Sequence, residues 1–176
     1  MPKLAAAERP DSLTRSDGSS TGRSAVPLQD AGPPAGEVHW EPVIPNAIPG
    51  IWHRIEPYIV KSAQWSDVTA KLESIQDIYD ALIADQYGLW ICTIDGHLKA
   101  ALVVNIAVHP RCTVLDICYG AGESLDQWLK PFYDVIVDRV RSMGGRFIRV
   151  EGRPGWAKKL KTLGFRKVSE TFMVEI

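Results

Sequence analysis

Cysteine is scarce in this chain of 176 residues: Cys92, Cys112 and Cys118 make an odd set with no C-x-x-C spacing. That excludes a disulfide framework and points to reduced thiols in a cytosolic setting. Histidine is nearly as sparse. His39, His53, His97 and His109 stand singly, without ligand spacing to a cysteine or carboxylate, so no metal site is expected. Net charge is almost absent as well. The formal value is −1 at pH 7, whereas a general nucleic-acid binder needs a strongly basic domain. No apolar run reaches the roughly 18 residues of a membrane span. The N-terminus lacks the apolar core of a secretory signal, so neither a membrane nor export is expected.

What is present, 45% hydrophobic and 23% charged residues, describes one globular domain large enough to bury a core. Residues 1–36 differ from the rest. "RPDSLTRSDGSSTGRSAVPLQDAGPPAG" is rich in Ser, Gly, Pro and Asp with few large apolar side chains. Such a segment cannot offset its own ordering entropy by burial, so it is expected to be disordered alone or ordered by a partner.

The globular text runs over residues 37–176. "EVHWEPVIP" reads as a first strand ended by prolines. "IWHRIEPYIVKSAQW" has helical spacing, with a kink or break expected at Pro57. In "SDVTAKLESIQDIYDALIAD" the stripe Val68, Leu72, Ile75, Tyr79 and Leu82 predicts an amphipathic helix capped by Ser66 or Asp67. Three β-rich runs follow, "YGLWICTI", "HLKAALVVNIAVH" and "CTVLDICY", the first two meeting at a hairpin signal, Asp95-Gly96. Next comes a long helix from Leu125 to Met143, with capping-box spacing at Ser124 and Gln127, an expected kink at Pro131, and a Gly144-Gly145 stop. "RFIRVEG" is a short strand. Pro154 opens a short helix that Gly164 ends, and "RKVSETFMVEI" reads as a last strand. The order is β-α-α-β-β-β-α-β-α-β, a mixed α/β layer architecture.

That order, with "LGF" leading from a short helix into a final strand, resembles the GNAT (GCN5-related N-acetyltransferase) fold over about residues 37–176. The resemblance implies an antiparallel meander followed by β-α-β-α-β around a central twisted sheet. It also implies acetyl-CoA bound in a V-shaped split between the fourth and fifth strands, and an acetyl group passed to an amine. Pyrophosphate would sit on "ICYGAG" before the long helix, where oriented amides and the helix dipole attract anions. If the protein is active, the implied cofactor-binding residues are Cys118, Tyr119, Gly120, Ala121 and Gly122, with Arg153 and Lys158 meeting phosphates.

The sequence departs from the family pattern at several of these places. Gly120 and Gly122 match the loop glycines, but Ile117 stands where Arg or Gln is usual, and Glu123 puts a negative charge where phosphates arrive. In the short helix, Arg153 replaces the usual Asn, Trp156 the small Ala beside the pantetheine arm, and Leu160 the Tyr that serves as general acid. Leucine donates no proton. On this reading no cofactor is expected, with acetyl-CoA the one implied by an active site.

Other residues carry two readings each. Glu151 is the candidate general base, or a solvated strand-end carboxylate. Asp116 alternates with Leu115 and Ile117, so it is expected to face solvent. Cys118 is a candidate nucleophile, or small core filler with no histidine nearby. Trp128 and Trp156 are expected to close the core where two helices approach. The basic run from Arg139 to Lys167, set against an acidic stretch from Asp67 to Asp95, reads as CoA-phosphate contacts, as solvated faces, or as surfaces for stacking copies or docking an acidic partner.

The combination "GAGESLDQWL … IRVEGRPGW … LGF" further resembles small acetyltransferase-like proteins that bacteriophages encode among head and tail genes. That implies a virion or assembly component without effective catalysis, located in the host cytoplasm or the phage particle. Its partners would be other protein chains met through the N-terminal segment, with a homo-oligomer also open and no specific nucleic acid. The alternative is an active acyl-CoA-dependent N-acetyltransferase.

Overall fold

The computed structural model describes residues 36–64, 72–151 and 154–168. Strand β1 (Val38–Val43) leads through a 3-10 turn into helix α1 (Ile48–Ala63). Helix α2 (Ile75–Ile83) precedes strands β2 (Gly88–Ile94), β3 (His97–His109) and β4 (Cys112–Gly122). Helix α3 (Leu125–Ser142), strand β5 (Gly145–Val150) and helix α4 (Pro154–Thr162) complete the order. The sheet order is β1-β2-β3-β4-β5, antiparallel up to β4, with β5 parallel to β4. This is the mixed α/β meander that the sequence implies, with the β2–β3 hairpin turning at Asp95 (φ 53°) and Gly96 (φ 73°). Positive φ at both central residues matches the right-handed twist of the flanking strands.

Both faces of the sheet are covered. Because strand side chains alternate, Trp90, Cys92 and Ile94 of β2 and Ala100, Leu102 and Val104 of β3 point one way, towards Trp128, Phe132, Ile136 and Val140 of α3. Leu89, Ala101 and Val103 point the other way, towards Ile55 and Ile59 of α1 and Ile78 and Leu82 of α2. β3 is therefore apolar on both sides, which is why "AALVV" shows no alternation.

Several expectations need correction. α1 continues through Pro57, because that residue lies on the exposed side where water can satisfy the carbonyl left without an amide partner. α3 likewise runs through Pro131. α2 begins at Ser74, whose hydroxyl accepts from the Asp77 amide (3.1 Å) while the Asp77 carboxylate accepts from the Ser74 amide (2.8 Å). This reciprocal box serves as the cap; Ser66, Asp67 and Val68 lie outside the described residues, and Leu72 is 64% exposed rather than on the buried stripe. No side-chain cap forms at Ser124, which sits at φ 55° and uses its carbonyl to accept from Gln127. The last predicted strand falls largely on residues 169–176, outside the described residues. Among the described residues, no helix is long and apolar enough to cross a membrane.

Candidate functional site

The stretch of β4 that runs on past the end of β5 defines the site. β4 pairs with β3 along its whole length, but its pairing with β5 stops at Ile117–Val150. β5 ends at Val150, so the last part of β4, from Cys118 to Gly122, has no strand beside it on that edge among the described residues, and this open edge is the split. One extra residue, Cys118, interrupts the β3–β4 register at this point. Such a bulge bends a strand and breaks its alternation. As a result Ile117 packs on the α3 side, while Cys118 and Tyr119 both pack on the α1/α2 side. Gly120, paired with Leu102, turns back towards α3 and α4.

"YGAG" therefore belongs to a strand, not to a loop. Its glycines have packing reasons of their own. A Cβ on Gly122 would lie 2.5 Å from the Ala100 Cβ and 2.8 Å from the Lys99 carbonyl oxygen. A Cβ on Gly120 would lie 2.5 Å from Leu102 Cδ2 and 3.3 Å from the Trp156 ring. The sheet backbone demands glycine at 122, whereas at 120 the side chains of Leu102 and Trp156 would have to give way.

Both sides of the split carry side chains of the chain itself. From α1, the Ser62 hydroxyl accepts a hydrogen bond from the Gly120 amide (2.8 Å). From α4, Trp156 lies over the Gly120 α-carbon and meets Trp128 edge-on, with ring centroids 6.2 Å apart. Trp128 is 1% exposed; its indole N–H donates to the Glu123 carbonyl (2.7 Å), and its own carbonyl accepts from Trp40 Nε1 (3.2 Å). The void left between α3, α4 and the sheet is about 20 Å3, lined by apolar side chains including Leu102, Ile117, Phe132 and Leu160. That is room for about one water molecule. Trp128 and Trp156 thus close the core where the helices approach, as their positions in the sequence suggest.

The N-terminus of α3, the other half of the expected anion cradle, is likewise supplied from within. The Glu123 amide donates to the Lys99 carbonyl (2.8 Å), and the Glu123 carboxylate lies 3.5 Å from the Lys99 ammonium. Asp126, in the first turn where the helix dipole favours a negative charge, is bridged to Lys159 of α4. Two carboxylates, each paired with a lysine, thus flank the start of α3.

On the α1/α2 side a polar cluster surrounds the bulge. Glu73 accepts hydrogen bonds from the Tyr87 hydroxyl (3.0 Å) and from the Tyr119 hydroxyl. Burial first, then the Glu73 carboxylate, pushes both phenols up, Tyr87 to about 12. Burial and the nearby carboxylates of Asp116, Glu151 and Glu73 push the Cys118 thiol up to about 11. A thiol held protonated is a poor nucleophile, so core filling suits it better than catalysis.

Asp116 does not face solvent. It is 6% exposed and makes a bidentate pair with Arg149 of β5, through Nε (2.7 Å) and Nη2 (2.6 Å). Alternation on a strand covered on both faces buries both sets of side chains, and the register places Asp116 opposite Arg149. That bond raises the already high basicity of Arg149.

The predicted site residues separate accordingly. Cys118, Tyr119, Gly120, Ala121 and Gly122 come together along the end of β4. Glu151 is exposed just past β5, near enough to act on the Cys118 thiol. Lys158 is exposed on α4, and Arg153 lies outside the described residues. Sequence reasoning missed Ser62, Glu73, Tyr87 and Arg149. Nothing in the local pattern marks a helix serine as the partner of a strand amide 58 positions away. Among the described residues, no three of His, Cys, Asp and Glu converge in a way that could hold a metal ion.

No protein-family model matches the sequence, and the search of curated proteins found no match. Solved structures do match in shape. The ribosomal-protein-alanine N-acetyltransferase of Brucella melitensis superposes with a TM-score of 0.61 at 12% identity, over 80% of this chain and 99% of that one. A GCN5-related N-acetyltransferase of Ralstonia eutropha gives 0.56 at 10% identity, over 79% and 99%. A predicted acetyltransferase of Clostridium acetobutylicum, with acetyl-CoA, gives 0.56 at 12% identity, over 79% and 96%. At 12% identity or less these likenesses show the fold alone: the chain has the fold of the GNAT acetyltransferases.

Proposed function

We propose that this protein is a GNAT-fold scaffold without effective acetyl transfer, a component of a larger assembly. The resemblance of "GAGESLDQWL … GRPGW … LGF" to phage head and tail proteins makes a phage particle or its assembly the setting. One observation supports the loss of transfer: Gly120 is engaged twice, its amide by the Ser62 hydroxyl and its α-carbon face by the Trp156 ring. The residues present do not fit acetyl-CoA. Its pantetheine arm needs space beside the end of β4, where Trp156 stands over Gly120. Glu123 and Asp126 oppose its phosphates, and Leu160 offers the leaving thiolate no proton.

The test is calorimetric titration of the full chain with acetyl-CoA. No binding up to millimolar coenzyme is expected, and micromolar affinity overturns the reading. A second reading, an active acyl-CoA-dependent N-acetyltransferase with Glu151 as general base, is favoured by the shape match to a protein with acetyl-CoA. It requires Trp156 to leave the split, and thiol release in the presence of amine acceptors would support it.

A further inference from the structure

Charge is distributed unevenly across the sheet. From residue 72 to 95 the chain has Glu73, Asp77, Asp80, Asp85 and Asp95 and no Lys or Arg. These belong to α2, its flanking turns and the β2–β3 hairpin; α2 packs on one face of the sheet, beside exposed Glu56 of α1. Arg54 and Lys61 of α1 temper this face without reversing it. From residue 139 to 167 the only acid is Glu151. Arg139, Arg146, Lys158, Lys161 and Arg166 are exposed there, on or beside α3 and α4, which pack on the opposite face. The acids of α3 are already engaged: Asp134 with Lys130, Asp138 with Arg141 and Asp126 with Lys159. They therefore do little to offset the basic side.

We infer that the basic α3/α4 face of one copy docks on the acidic α2 face of the next, giving head-to-tail association of this chain with itself. The symmetry follows from the charges. A two-fold axis sets a patch against itself, which here would oppose like charges, whereas a head-to-tail contact pairs opposite ones and closes into a ring or continues as a filament. The inference deepens the scaffold reading by naming the partner, and it does not depend on whether the split admits coenzyme.

Sedimentation velocity of the full chain tests it, at about 20 mM and about 300 mM salt, conditions that bracket weak and strong screening of surface charge. At low salt the sedimentation coefficient should rise with protein concentration, and at high salt it should fall to that of a monomer. Two double variants sharpen the result: Lys158→Glu with Lys161→Glu removes most of the positive charge of one face, and Glu56→Lys with Asp80→Lys cancels the negative charge of the other, each leaving the opposite face intact. Each alone should stay monomeric at low salt, while an equimolar mixture should associate again, because each then meets opposite charge. That rescue also shows that both variants are folded. A wild-type chain that is monomeric at low salt, or variants that still self-associate, overturns the inference. So does association that appears only when duplex DNA is added, which would make a polyanion the partner. A coenzyme titration reads the split and leaves this result untouched.

Discussion

The two halves of β4 have the same neighbour on one edge and different neighbours on the other. From Cys112 to Ile117 the strand lies between β3 and β5, and its one buried charge, Asp116, is held by Arg149 from the adjoining strand. From Cys118 to Gly122 it keeps β3 but outruns β5; Ser62 of α1 meets the open edge at Gly120, and Trp156 of α4 covers the face there. A backbone amide removed from water must find an acceptor. In the first half the sheet supplies it; in the second, Ser62 does. At Gly120 a hydroxyl of the chain itself stands where a neighbouring strand would offer a carbonyl.

Substitutions along the strand probe that contrast. The largest effect is expected for Gly122→Ala in the second half, where the new methyl meets the Lys99 carbonyl and Ala100 at less than van der Waals distance. Overpacking against backbone should cost about 3 kcal/mol in chemical denaturation. Asp116→Asn in the first half leaves Arg149 with one poor acceptor. Because Arg149 is half exposed, the loss should be about 2 kcal/mol, below that of a fully buried pair. Trp156→Ala should cost about 2 kcal/mol, since the indole is only partly buried, and the cavity it leaves lies in the split. If that variant gains affinity for acetyl-CoA, crowding alone closes the second half; if not, Ser62 and the acidic cradle are sufficient. Ser62→Ala should cost about 1 kcal/mol, the usual worth of one neutral hydrogen bond plus a stranded amide, with faster hydrogen exchange at Gly120 and not at Asp116.

The smallest effect lies away from the strand and serves as a control. Hydrogen bonds from Ser74 hold the Asp77 carboxyl below the usual carboxylate range. A folded value below the unfolded one contributes stability above the unfolded value of about 4, and that contribution fades as pH falls through the folded value. Amide shifts of Ser74 and Asp77 should therefore move in acid, and Asp77→Asn should abolish that movement.

The order of elements was legible because it rests on local signals: the Asp95-Gly96 hairpin, the period of 3.6 from Leu125 to Val140, and the glycine after α4. Trp128 and Trp156 could be placed in the core because aromatics early in two adjacent helices have few other places to go. The site was legible only as a list of departures, Ile117, Glu123, Trp156 and Leu160, each notable against a family pattern. Its actual occupants were not. Ser62 and Glu73 act across distances in sequence that carry no periodicity, and Asp116 misled because alternation says which face a residue takes, not what covers that face. Cys118 could be recognised as part of "ICYGAG" but not as a bulge, since an inserted residue leaves no mark until the partner strand is in register.

That inserted residue sets the phase of everything after it. Were the bulge flattened, with Cys118 paired to Val103, the remainder of β4 would shift by half a pleat: the phenol of Tyr119 would swing among the indoles, and Gly120 would present its bare α-carbon to α1. The arrangement of hydroxyl, glycine and indole across the split is thus a matter of counting, held in step by a single unpaired position in the strand.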